Sequence, residues 1–124
     1  MTRRRIDGSV LRLVCGACQT ATVDFIFRGD VDYATEGLVS FTSVERDELV
    51  LAELPAGLDD ASVERFLAEL SARLGRDDLR YLRPDYRDNR LTYQCPQCGA
   101  RELRPGRELS TAAYRRSGGV VTRV

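Results

Sequence analysis

The chain has 124 residues, a hydrophobic fraction of 43% and zero formal net charge, from 19 arginines against 19 acidic residues, with no lysine and no histidine. That size points to one domain, 1–124, burying roughly two-thirds of its unfolded surface, so a metal clip closing a long loop would help it. The composition excludes every Ser-His-Asp or Cys-His catalytic scheme and offers no run of about 18 apolar residues to span a membrane. Charge is unevenly placed. Residues 1–14 carry four Arg and one Asp, residues 15–79 five Arg and fourteen acids, and residues 80–124 ten Arg and four acids. Basic ends around an acidic middle can mark a surface that faces a polyanion.

In chain order, Arg3, Arg4 and Arg5 are basic enough to open a signal peptide. Asp7 and Gly8 then break the apolar run that one needs, so none is expected. Residues 10–14 lead into Cys15-Gly16-Ala17-Cys18. From Thr20 to Arg28 the chain alternates, with Val23, Phe25 and Phe27 on one face and Thr22, Asp24, Ile26 and Arg28 on the other, which predicts a strand. The first cysteine pair therefore sits at the tip of a β-hairpin. Residues 37–43 and 48–54 predict a second hairpin around Glu45-Arg46-Asp47, ended by Pro55-Ala56-Gly57. Residues 59–74 predict a helix whose apolar stripe is Val63, Phe66, Leu67, Leu70 and Leu74. Asp59 or Asp60 can cap its start and Gly75 can stop it. Residues 76–90 read as a loop. Leu91 to Gln94 enter Cys95-Pro96-Gln97-Cys98, and Ala100 to Leu103 leave it in a shorter hairpin ended by Pro105-Gly106. Residues 107–116 read as a short helix, and the tail 117–124, opening at Gly118-Gly119, as disordered. The expected fold class is α+β: antiparallel β-hairpins with one amphipathic helix. A cysteine-bearing unit of about 9–28 and 90–106 would flank an insert, 29–89.

The two Cys-x-x-Cys pairs carry the chemistry. Four thiolates complete a tetrahedral shell for zinc, and two residues between ligands let both sulfurs of a pair reach one ion. Cys15, Cys18, Cys95 and Cys98 are thus the expected ligands of one structural Zn²⁺, with iron or a redox dithiol as alternative uses. Zinc with four thiolates carries a formal charge of −2, which Arg12, Arg101 and Arg104 could offset. Metal spacing of this kind suits a reducing compartment, so the expected location is the cytoplasm. With Cys-Pro-x-Cys-Gly at 95–99, the chain resembles the zinc-ribbon superfamily over about residues 10–28 and 90–104. The resemblance implies two knuckles on hairpin tips and a structural metal, not one activity. The chain departs from that pattern in having residues 19–94 between its pairs, and in having Gln19 where the second pair has Gly99. Gly99 can take a positive φ freely, whereas Gln19 would pay roughly 1 kcal/mol for it.

Two other groups bear on function. Arg80, Tyr81, Arg83, Tyr86, Arg87, Arg90 and Tyr93 interleave guanidinium groups, which neutralise phosphates, with rings that stack on bases. The alternative is that these tyrosines pack on the sheet while the arginines pair with the acidic insert. The carboxylates Asp30/Asp32/Glu36, Asp59/Asp60 and Asp77/Asp78 fall at caps and turns, and no Gly-rich phosphate loop is present, so no catalytic residue is expected. The sequence thus favours a non-catalytic zinc-binding accessory or adaptor protein acting on a protein partner. A nucleic-acid-binding protein is the alternative, and an enzyme subunit with a structural zinc comes third.

Overall fold

The computed structural model describes residues 7–28, 37–54, 59–87 and 90–124. The acidic group Asp30/Asp32/Glu36, the breaker at Pro55-Ala56-Gly57, Asp88-Asn89 and the arginines at 3–5 lie outside the described residues. Within them the chain is mostly strands, with one long and one short helix.

Strand β1 (Asp7–Cys15) pairs antiparallel with β2 (Ala21–Arg28), placing Val10 opposite Phe25 and Arg12 opposite Val23. Strand β3 (Leu38–Ser43) pairs in the same sense with β4 (Glu48–Glu53), with Val39 opposite Ala52 and Phe41 opposite Val50. Helix α1 (Asp60–Leu74) follows. Asp59 stands before it in extended backbone and accepts the Ser62 N–H at 2.7 Å, so Asp59 is the cap and Asp60 belongs to the first turn. Gly75 ends the helix in the left-handed region at φ 66°. The stripe holds at Val63, Leu67 and Leu70, which pack with Val39, Phe41, Val50 and Ala52, and Phe66 joins them partly buried. Leu74, expected on the stripe, is 42% exposed, because the helix runs past the sheet it covers.

The chain after Gly75 is more ordered than its sequence suggests. The expected loop at 76–90 contains β5 (Leu79–Arg80) and β6 (Pro84–Arg87), and β7 (Arg90–Tyr93) follows. Strand β8 (Leu103–Ser110) does not end at Pro105-Gly106 but runs through them, paired with β1. Leu13 faces Pro105 and Leu11 faces Glu108, so β8 carries one extra residue there, a bulge opposite Arg12. A side chain on Gly106 would crowd the Arg12 carbonyl at 3.3 Å, so glycine lets the two backbones meet. The helix expected over 107–116 begins only at Thr111: α2 (Thr111–Arg116) is capped by the Ser110 hydroxyl, which accepts the Ala113 N–H at 3.0 Å.

The tail 117–124 is a further correction. Strand β9 (Val120–Arg123) pairs parallel with β4, and the Val124 N–H donates to the Leu51 carbonyl at 2.9 Å. Beside it lies Tyr114, 0% exposed and the largest fully buried side chain among the described residues. Its hydroxyl donates to Asp47 Oδ1 at 2.7 Å, the Arg12 guanidinium lies 5.5 Å above its ring, and a Cβ on Gly119 would sit 2.3 Å from that ring. Burial of a tyrosine with its hydroxyl satisfied offsets part of the entropy of ordering the terminal residues, and the bonds from β9 to β4 add to it.

The strands form a five-stranded sheet in the order β2-β1-β8-β7-β6 and a four-stranded sheet in the order β5-β3-β4-β9. Val10, Val23 and Phe25 of the first meet Leu49 and Leu51 of the second around Tyr114. Arg76 ties the β3–β4 turn to β5. It is bidentate to Asp78 at 2.9 and 2.6 Å and to Glu48 at 3.2 and 2.7 Å, while Ser43 donates to Asp78 at 2.6 Å. These bonds hold the Asp78 carboxyl well below the usual carboxylate range. Among the described residues no helix is long and apolar enough to cross a membrane.

Candidate metal centre

Both cysteine pairs sit in tight turns of the same construction. The Gln19 N–H donates to the Cys15 carbonyl at 3.0 Å and the Cys15 N–H to Thr20 at 2.9 Å. In the second turn Gly99 donates to Cys95 at 2.9 Å and Cys95 to Ala100 at 2.9 Å. In each, the N–H two residues after the first cysteine points at its sulfur: Ala17 to Cys15 Sγ and Gln97 to Cys95 Sγ, both at 3.4 Å. Such N–H groups spread the charge of a thiolate. The turns are docked together because β1 pairs with β8, and the Gly16 N–H donates to the Glu102 carbonyl at 2.8 Å.

The four sulfurs all lie within 4.8 Å of one another. Cys15 approaches Cys98 at 3.7 Å and Cys18 approaches Cys95 at 3.6 Å. A disulfide would need about 2.05 Å, and all four cysteines are free. A regular tetrahedron with arms of about 2.3 Å has edges of about 3.8 Å, so the spacing is that of four thiolates around one ion, compatible with Zn²⁺. Cys15 and Cys95 are buried beside Leu13, Tyr93 and Leu103, while Cys18 and Cys98 face outward. The ion would thus sit at the rim of the core, with two ligands anchored in it.

The thiols differ in acidity. The Thr20 hydroxyl, 3.0 Å from Cys18 Sγ, and the Thr20 N–H lower Cys18 to about 6. The Ala100 N–H lowers Cys98 too, but desolvation and the three neighbouring sulfurs outweigh it and push that thiol up to about 12. Four sulfurs this close cannot all ionise unless a cation replaces their protons, and a metal does that. Arg104, expected to offset the remaining charge, is itself paired with Glu102 and lies 3.6 Å from where a side chain on Gly16 would begin. Arg12, expected to help, is engaged elsewhere, 3.5 Å from Asp47 and above Tyr114.

The Arg-and-aromatic group is only partly brought together. Arg80, Tyr81 and Arg83 share a cavity of about 540 Å³ with Gln94, Pro96 and Gln97 of the second knuckle. Arg80 Nη1 donates to the carbonyls of Asp77 and Leu79, at 2.7 and 2.9 Å, and Arg83 pairs with Glu64 at 3.4 Å. Tyr81 is half-buried edge-on to Phe41. Tyr93 is only 3% exposed, so its ring is core and not a stacking platform. Arg90 is exposed on β7, and the side chains of Tyr86 and Arg87 lie outside what is described. Sequence reasoning missed Asp24, which it placed on a polar strand face. Burial raises its carboxyl, and its neighbours are the hydroxyls of Ser40, at 2.9 Å, and Tyr93. Asp24 meets Ser40 because β2 packs beside β3, a placement that no local pattern signals.

Comparison with protein families, with curated proteins and with solved structures found no match to this chain.

Proposed function

We propose that this chain is a non-catalytic accessory or adaptor module whose zinc is structural and whose partner is a protein. A metal held by four thiolates has no open position for substrate or water. The two knuckles are read as the halves of a zinc ribbon whose hairpins are joined through the β1–β8 pairing. One observation carries the choice of partner: five of the arginines are paired with carboxylates of the chain itself. Arg76 is bidentate to two carboxylates, while Arg12, Arg83, Arg104 and Arg123 pair with Asp47, Glu64, Glu102 and Glu53. Guanidinium groups neutralised in this way contribute little to phosphate binding. Thiol ligands and the metal point to the cytoplasm as the place of action. The test is native purification with the metal in place. A stoichiometric protein partner, retained at moderate salt, is expected, and a protein that stays alone but binds oligonucleotides with steep salt dependence would reverse the assignment.

The nucleic-acid reading is favoured by one feature, the cavity beside the second knuckle that holds Arg80, Tyr81 and Arg83. If phosphates bind there, the double variant Arg80→Ala, Arg83→Ala lowers the salt slope by about two.

A further inference from the structure

A second cavity lies between β2, β3 and the start of α1, with a volume of about 260 Å³. Among the described residues its charged lining is Asp24, Asp59 and Asp60, with no basic residue beside them. Its walls are apolar and aromatic, with Phe25, Tyr81 and Tyr93 among them. Asp24 is held by neutral donors, the Ser40 hydroxyl, the Phe25 N–H and the Tyr93 hydroxyl, with no cationic partner among the described residues. Among the described residues the cysteines are the one cluster spaced for a metal, so these three carboxylates do not converge on an inorganic ion. Carboxylates spread around aromatic walls suit an extended organic cation, which gains ion pairing at its head and cation–π and apolar contact along its stem. The volume is below the roughly 300–1,000 Å³ of pockets that enclose a whole small ligand, so the cavity fits the end of one side chain.

We propose that this cavity receives the guanidinium or ammonium end of a long basic side chain from the protein partner, and this rests on the adaptor reading. A cation arriving beside Asp24 supplies the counter-charge that its described neighbours, all neutral donors, do not. Asp60, exposed in the first turn of α1, would draw the side chain in. Asp59 holds the helix cap beside the mouth.

The test is a titration of the full metal-loaded chain with the blocked tripeptide acetyl-Gly-Arg-Gly-amide, followed by NMR shifts. The same peptide with citrulline in place of arginine, which keeps the shape and loses the charge, is the comparison. Saturable binding of the arginine peptide alone is expected. Asp24→Asn should weaken it about tenfold or more, as loss of a desolvated charge partner does. Asp60→Asn, which leaves the helix cap in place, should weaken it about threefold. Zinc content and circular dichroism report whether each variant is folded, and Asp60→Asn keeps the proposal open to refutation if Asp24→Asn is not. No saturable binding, equal binding of the citrulline peptide, or indifference to both substitutions would overturn the proposal. Agmatine binding as tightly as the peptide would overturn it in favour of a free amine, and Asp24-dependent self-association would make the occupant a second copy. The titration reads the cavity whether or not a partner co-purifies, so it and the adaptor reading fail separately.

Discussion

The two knuckles share one backbone and differ in the residues that make it. Gln19 and Gly99 hold the same place, with φ at 65° and 77°, and close the same hydrogen bond onto the first cysteine of their pair. Glycine adopts that conformation freely, and an L-residue with a Cβ loses roughly 1 kcal/mol in doing so. The next position differs as well: Thr20 turns its hydroxyl to Cys18, while Ala100 offers Cys98 only a backbone N–H. The ligand geometry therefore dictates the turn, and the side chains adapt to it. The first knuckle accepts strain at Gln19 and is docked by Gly16 on Glu102. The second has the relaxed turn but a shorter hairpin, with Tyr93 opposite Leu103.

The largest effects should be the same on both sides. Cys15→Ser and Cys95→Ser each remove one ligand of a centre that closes the chain over residues 19–94. Each is expected to cost about 4 kcal/mol, on the order of a cross-link over a loop of that length. Denaturant unfolding of the two variants checks this. A large loss for one and a small loss for the other would mean that the sulfurs do not share an ion.

The ionic cluster around Arg76 gives a reference away from the metal. Arg76→Leu should cost on the order of 2 kcal/mol, between the exposed and fully buried limits for ion pairs. Its pH signature follows from Asp78, whose carboxyl is depressed in the fold. A depressed carboxylate adds stability above its unfolded value, near pH 4, and that stability is lost as pH falls below it. Melting temperature followed downward from neutrality should therefore drop below about pH 4 in the parent, and less steeply in Arg76→Leu. Parallel curves would show that the cluster is not the acid-sensitive element.

Next in size come the turn positions themselves. Gly99→Val is expected to cost about 1–2 kcal/mol through its positive φ alone, since nothing lies within 4 Å of where the new side chain would begin. Gln19→Gly should be neutral or gain up to about 1 kcal/mol, because relief of strain competes with the entropy that glycine restores to the unfolded chain. Opposite responses at matching positions are the signature of one geometry built from two residues. Equal losses would show that Gln19 makes a contact worth its strain.

The smallest effect concerns acidity. In metal-free, reduced protein Thr20→Val should raise the Cys18 thiol above its value of about 6, because the hydroxyl that stabilises the thiolate is gone. Thiolate absorbance against pH reads it, and no change would place the cause in the backbone N–H alone.

Much of this was legible beforehand because it was local. Cysteine spacing marked the residues whose sulfurs cluster, alternation marked β2, and the stripe from Val63 to Leu70 marked α1, since each pattern lies within a few residues of its cause. The positive φ at Gly99, and its cost at Gln19, followed from the matching of the two turns. What stayed hidden depends on distant partners. Tyr114 looks like any surface tyrosine until Asp47, Arg12 and the gap left by Gly119 surround it. Strand β9 follows a Gly-Gly step and pairs with β4, a partner some seventy residues earlier, beside the buried Tyr114. Pro105-Gly106, a turn signal in isolation, stays in strand β8 and leads into the bulge at Gly106 and Arg107 because β1 is there to pair with it. Tyr93, placed by composition with the nucleic-acid group, was taken into the core by the strand pairing that also brings the knuckles together.

The central claim is that Cys15, Cys18, Cys95 and Cys98 hold one zinc ion that keeps both knuckles closed. It is tested most directly by elemental analysis of protein purified without added metal, followed by thermal unfolding before and after chelation. The account predicts one zinc per chain and a large fall in melting temperature once the ion is removed. A metal-free protein with its cysteines in two disulfides, or one whose melting is unmoved by chelation, would contradict it.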